Sequence, residues 1–106
     1  MIELTKSNFK TVVNNVDITE KPLNILVEFG APWCQPCRTM EPVIERLAKK
    51  HAGKIVVGHV DIDREPELAA IYDIMSVPTF LVFLKGVVIR SLIGAVPEAK
   101  LERLIG

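Results

Sequence analysis

Cys34 and Cys37 are the only cysteines in the chain, and only Gln35 and Pro36 stand between them. A pair so spaced has a definite chemistry open to it when a helix begins at the first cysteine. The first turn of a helix presents unpaired backbone N–H groups and a partial positive charge. Both favour a thiolate over a thiol, so a cysteine seated there becomes a nucleophile. A cysteine three positions on lies one turn along on the same side, within reach for a disulfide. The spacing therefore predicts an exposed nucleophile at Cys34 and, at Cys37, the partner that resolves a mixed disulfide. Pro36 fixes a backbone angle between the two and holds the pair in one geometry.

Three other readings compete for the same residues. A zinc site would draw on His51 and His59, but seven residues separate them, more than the three to five usual in zinc fingers. A structural staple contributes little, since disulfide stabilisation grows with the loop it closes. Two inert thiols acting as small hydrophobes are the third reading. Exchange chemistry accounts for the pair best, with no metal and no bound cofactor required.

The elements that must position the pair follow from apolar spacing. An apolar run at 24–29 reads as a strand buried on both faces, and Gly30-Ala31-Pro32 ends it just before Cys34. From 34 to 52 the period becomes helical: Met40, Val43, Ile44, Leu47 and Ala48 form one stripe, with Glu45 and Lys49 set for a pair on the opposite face. Pro42 lies inside this helix and is expected to kink it. Strands follow at 55–60, 79–84 and 87–93, the last two joined at Lys85-Gly86 as a hairpin. Short helices are expected over 8–15, 67–72 and 98–105, an edge strand over 2–4, and a polar loop over 17–22. The first strand–helix–strand unit implies a parallel pair with a right-handed crossover, and the hairpin adds an antiparallel edge. The expected fold class is α/β: a central mixed sheet of four to five strands with helices on both faces, formed by residues 1–106 as one domain.

Composition agrees with this. The chain has 106 residues, 49% of them hydrophobic and 25% charged, enough to bury a core. Lys plus Arg and Asp plus Glu each number 13, and the halves on either side of Gly53 carry +1 and −1. That balance argues against a nucleic-acid partner. The apolar run at 80–84 is far short of the ~18 residues a membrane span requires, and the first residues do not read as a signal peptide. A soluble, cytoplasmic protein is the expectation.

The stretch Val27-Glu28-Phe29-Gly30-Ala31-Pro32-Trp33-Cys34-Gln35-Pro36-Cys37-Arg38 resembles the active-site strand and loop of thioredoxins. Val60-Asp61-Ile62-Asp63, Tyr72 through Phe80 with Val77-Pro78-Thr79, Lys85-Gly86 and Gly94-Ala95 follow in that family's order. The resemblance implies a thioredoxin fold and a protein-disulfide reductase. Disulfide-containing proteins would be its substrates, a flavoprotein thioredoxin reductase its electron source, and the working form a monomer. It further implies that Pro78 is cis and packed against the dithiol, and that the Val77 backbone pairs with an extended substrate segment. Trp33 would be a flat wall in an apolar collar with Ala31, Pro32, Met75, Val77, Pro78 and Ala95. Two alternatives stay open: an oxidase or isomerase of an exported pathway, and a binding module switched by its redox state.

Four positions depart from the family pattern. Glu28 stands where aspartate is typical, either turned to water at a strand end or buried beneath Cys37. A buried carboxylate is a stronger proton acceptor, because desolvation disfavours its charged form. His59 stands where many bacterial relatives carry lysine; it would tune the site through a charge that changes near pH ~6.5, or be an ordinary half-buried strand residue. Gln35 replaces the usual glycine and brings no charge, which favours a reductant. Gly30 replaces a bulky aromatic and is expected to leave space behind the dithiol.

Overall fold

The computed structural model describes residues 1–14 and 23–106. The predicted loop at 17–22 and the end of the first predicted helix at 15 lie outside them. Nine elements follow in order: β1 (Ile2–Glu3), α1 (Phe9–Val13), β2 (Asn24–Gly30), α2 (Gln35–Lys50), β3 (Ile55–Asp61), α3 (Pro66–Ile71), β4 (Thr79–Leu84), β5 (Val87–Ile93) and α4 (Glu98–Ile105). The sheet order is β1-β3-β2-β4-β5. Strands β1, β3 and β2 are parallel, while β4 runs antiparallel to β2 and β5 antiparallel to β4. This is the mixed sheet the sequence predicts, with every element displaced by no more than a few residues.

Side chains on a strand alternate between faces, and β2 shows what each face buries. Ile25, Val27 and Phe29 join Leu4, Phe9, Val13, Val60, Leu68, Leu81 and Phe83 in a core beneath α1 and α3. Four aromatic rings meet there, with Tyr72 edge-on to Phe83 at a centroid distance of 5.2 Å. On the other face Leu26 packs with Met40, Ile44, Leu47, Val57, Phe80, Val82, Leu101 and Ile105 beneath α2 and α4. Glu28 and Gly30 share the parity of Leu26, and His59 and Asp61 that of Val57. All four therefore belong to the face covered by α2.

Helix α2 runs unbroken from Gln35 to Lys50 through Pro42, whose missing N–H leaves the Arg38 carbonyl without its usual helical donor. Its amphipathic stripe holds it to the sheet. The charges on its far side are used differently from expectation. No Glu45–Lys49 pair forms among the described residues; Arg46 and Lys50 reach instead to Glu98 and Glu102 of α4, at 2.7 and 2.6 Å. The second helix on this face lies near enough to compete for the cations. The β4–β5 hairpin turns at Lys85 and Gly86, both with positive φ (51° and 80°), the conformation that matches the strand twist in a two-residue turn. Among the described residues, no helix is long and apolar enough to cross a membrane.

Candidate active site

Strand β2 ends at Gly30, and the chain turns through Ala31-Pro32-Trp33 before α2 begins. The Cys34 N–H donates to the Ala31 carbonyl at 3.1 Å, closing that turn. Cys34 is the N-cap of α2, with φ −86° and ψ 108°, and its sulfur accepts the Cys37 backbone N–H at 3.2 Å. An N-cap oxygen ordinarily fills this place; here sulfur does, so the orphan amide and the positive helix end both act on Sγ. Pro36 stands in the first turn, where its lack of an N–H costs nothing. Cys34 and Cys37 are joined as a disulfide.

One expectation needs correction. Cys34 is not exposed: it and Cys37 are each only 4% accessible. Bonding to one another removes part of their surface, and Ala31, Ile62 and Val77 cover the rest. The disulfide is thus recessed. Trp33 is 66% exposed and Met75 86% exposed, and Pro32 and Ala95 are exposed as well. The Val77 carbonyl oxygen is 3.7 Å from Cys34 Sγ, and the Val77–Pro78 peptide is cis, with Pro78 itself buried. Gln35 is exposed beside the pair. The zinc alternative fails on distance along the helix: His51 caps the far end of α2 from the cysteines.

Glu28 is 1% exposed, which disposes of the reading that turned it to water. His59 is its direct neighbour across the parallel β2–β3 ladder. The His59 Nδ1–H donates to Glu28 Oε1 at 2.8 Å. This contact raises the imidazole ionisation above its ordinary 6.5; burial opposes the rise, while the charges of Glu28, Glu3 and Asp61 add to it. Glu28, His59 and Cys37 line a common pocket with Ala31, Pro32, Arg38 and Glu41. The expected space behind Gly30 is absent. A Cβ placed there would lie 3.3 Å from His59 Cε1 and 3.4 Å from Cys37 Sγ, so ring and sulfur already occupy it.

Asp63 escaped the sequence reading as a site residue. Its Oδ2 accepts the Trp33 indole N–H at 3.0 Å and holds the exposed ring. Asp61 prepares that contact: its Oδ1 accepts the Asp63 N–H at 2.9 Å, shaping the loop after β3. The available signal was an Asp-x-Asp at a strand end, a typical side-chain-to-backbone turn.

The geometry is that of a dithiol–disulfide centre at a helix entrance, and comparison with known proteins agrees. The Thioredoxin family profile matches residues 1–106. Thioredoxin 1 of Nostoc sp. is 38% identical over 103 residues, covering 97% of this chain and 92% of its own. Thioredoxin of Alicyclobacillus acidocaldarius is 40% identical over 99 residues, covering 93% and 89%. The chloroplastic M-type thioredoxin of Zea mays is 52% identical over 81 residues, or 76% of this chain, which spans about half (48%) of the maize protein. A chain solved in work on the thiol-resolving mechanism of a yeast mitochondrial 1-Cys peroxiredoxin superposes with a TM-score of 0.84 at 25% identity, covering 99% of this chain and 92% of its own. The fold and site define a thiol–disulfide oxidoreductase. The chain belongs to the thioredoxin family, and its chemistry is disulfide reduction by exchange through Cys34 and Cys37.

Proposed function

We propose that this protein reduces disulfides in extended or locally unfolded protein segments, with Cys34 attacking and Cys37 resolving. The supporting observation is the seat of Cys34 Sγ: it receives a helix-terminal N–H and faces the Val77 carbonyl on the floor of an apolar collar. Cys34 thiolate attacks one sulfur of the substrate disulfide, and the other leaves with the electron pair. Cys37 then loses its proton, with buried Glu28 as acceptor, and attacks Cys34 Sγ. The mixed disulfide breaks, the second substrate sulfur departs as a thiolate, and the Cys34–Cys37 bridge remains.

Trp33, Pro36, Met75, Val77, Pro78 and Ala95 form the proposed substrate surface. Gln35 places no charge beside the thiolate, which suits a reductant better than an oxidase. A monomer working in the cytoplasm and restored by a flavoprotein thioredoxin reductase completes the reading.

The test is turnover of a protein disulfide with NADPH and that reductase. Cys34→Ser abolishes turnover, and Cys37→Ser halts after one covalent adduct that mass spectrometry detects and added thiol releases. Turnover only with a ferredoxin-linked donor would replace the proposed electron source. No adduct on Cys37→Ser would overturn the order of attack.

A further inference from the structure

The three methionines of the chain stand in very different surroundings. Met40 is 2% exposed beneath α2, Met1 is 47% exposed at the first position, and Met75 is 86% exposed. The backbone around Met75 is pinned on both sides. The Ile74 N–H donates to the Ala69 carbonyl at 2.9 Å, and the Ile74 side chain packs against the core beneath α1 and α3. The Thr79 hydroxyl donates to the Ser76 carbonyl at 2.7 Å. Held between these anchors, Met75 keeps its thioether in solvent and contributes little to the core. Two residues farther on, the Val77 carbonyl lies 3.7 Å from Cys34 Sγ. Two residues of chain span no more than about 7 Å, so the loop sets Met75 close to the residue that faces the reacting sulfur.

An accessible thioether is open to a reaction that a buried one resists: a hydroperoxide transfers an oxygen atom to its sulfur. The O–O bond breaks and an S–O bond forms. The sulfur gives up an electron pair, and the peroxide is reduced to water or an alcohol. In the disulfide state Cys34 and Cys37 hold no thiol to compete for the oxidant, and the chain has no other cysteine. We infer that Met75 is a modification site: hydroperoxides convert it to the sulfoxide while the cysteines are bridged, and the modified loop grips protein substrates less well.

The loss of grip rests on the proposed substrate surface, of which Met75 is part. Its unmodified side chain is unbranched and soft, suited to packing against varied apolar segments. The sulfoxide is polar, and its oxygen must give up water when an apolar segment docks. Binding of protein disulfides therefore weakens. Attack by Cys34 does not, because the Cys37 N–H and the Val77 carbonyl that face its sulfur stay as they were. Methionine sulfoxide reductases, one for each epimer, return the thioether, so the change is reversible.

The test treats the bridged protein with hydrogen peroxide, removes the oxidant and maps the added oxygen by mass spectrometry of peptides. Met75 should be modified ahead of Met1, with Met40 last, in the order of their exposure. KM for a protein disulfide is then compared before and after treatment within each variant. It should rise severalfold in the wild type and stay constant in M75L, which has an apolar side chain but no sulfur to oxidise. M75Q, polar from the start, should begin with the raised KM and stay there. The two sulfoxide reductases should return the treated wild type to its starting KM, and thiol release from a small aromatic disulfide should proceed at one rate before and after peroxide. Oxygen arriving first at Met1 or Met40, an unchanged KM once Met75 is oxidised, or the same rise in M75L overturns the inference. Untreated protein that fails to cleave the aromatic disulfide overturns the proposed function instead.

Discussion

Gly30 matters for what it lacks. Its missing side chain leaves room for an imidazole and a sulfur that would lie 3.3 and 3.4 Å from an added Cβ. Gly30→Ala is expected to slow resolution and to cost about 1–3 kcal/mol through overpacking, read from urea denaturation midpoints. His59 also couples stability to pH. Its ionisation is raised in the folded state, so its contribution is full below 6.5 and is lost as pH climbs through the folded value. The melting-temperature advantage of wild type over H59Q should therefore be largest near pH ~6 and shrink in mildly alkaline buffer. The cysteines and the indole were legible because each carries a local pattern, whereas the cis proline was legible only through the family resemblance. The Glu28–His59 contact was not, since it depends on the register of two strands 31 positions apart in sequence. Recession of Cys34 was equally hidden, because Val77 and Ile62 reach it from loops distant in the chain.

At the scale of elements, α2 carries the site on a rigid base. Leu47, wholly buried beneath it, should cost about 2–5 kcal/mol when replaced by alanine, measured as a shift in denaturant midpoint without change of slope. The Arg46–Glu98 pair is largely exposed, so Arg46→Ala is expected to cost no more than about 1 kcal/mol and to matter less in high salt. Periodicity read these elements well. The apolar run at β2 announced a strand buried on both faces, that at β4 a hairpin strand, and the stripe from Met40 to Ala48 announced the helix. What periodicity left out was the pairing of charges: an i,i+4 pair on one helix looks favourable in isolation, yet α4 brings Glu98 and Glu102 within reach of Arg46 and Lys50.

For the whole molecule, the decisive contrast is between neutral charge and an apolar rim. A formal charge of zero gives little long-range steering, so reduction of an uncharged disulfide peptide should change less than about threefold between low and physiological salt. Under the proposed function, selection is expected to come from contact with the exposed apolar side chains. Trp33→Ala should raise KM for protein disulfides more than it lowers kcat, since the indole is held by Asp63 and does not touch the sulfurs through any hydrogen bond. The overall architecture was readable from element order, because right-handed crossover and a tight hairpin leave few ways to arrange five strands.

The sunken bridge has a last consequence. With both sulfur-bearing residues only 4% accessible, a crosslink held flat on a rigid surface should approach them less readily than one on a slack length of chain. Partners are therefore expected to be sorted by how far their crosslink can be drawn out from its own fold, and loosening a substrate around its crosslink should speed its reduction.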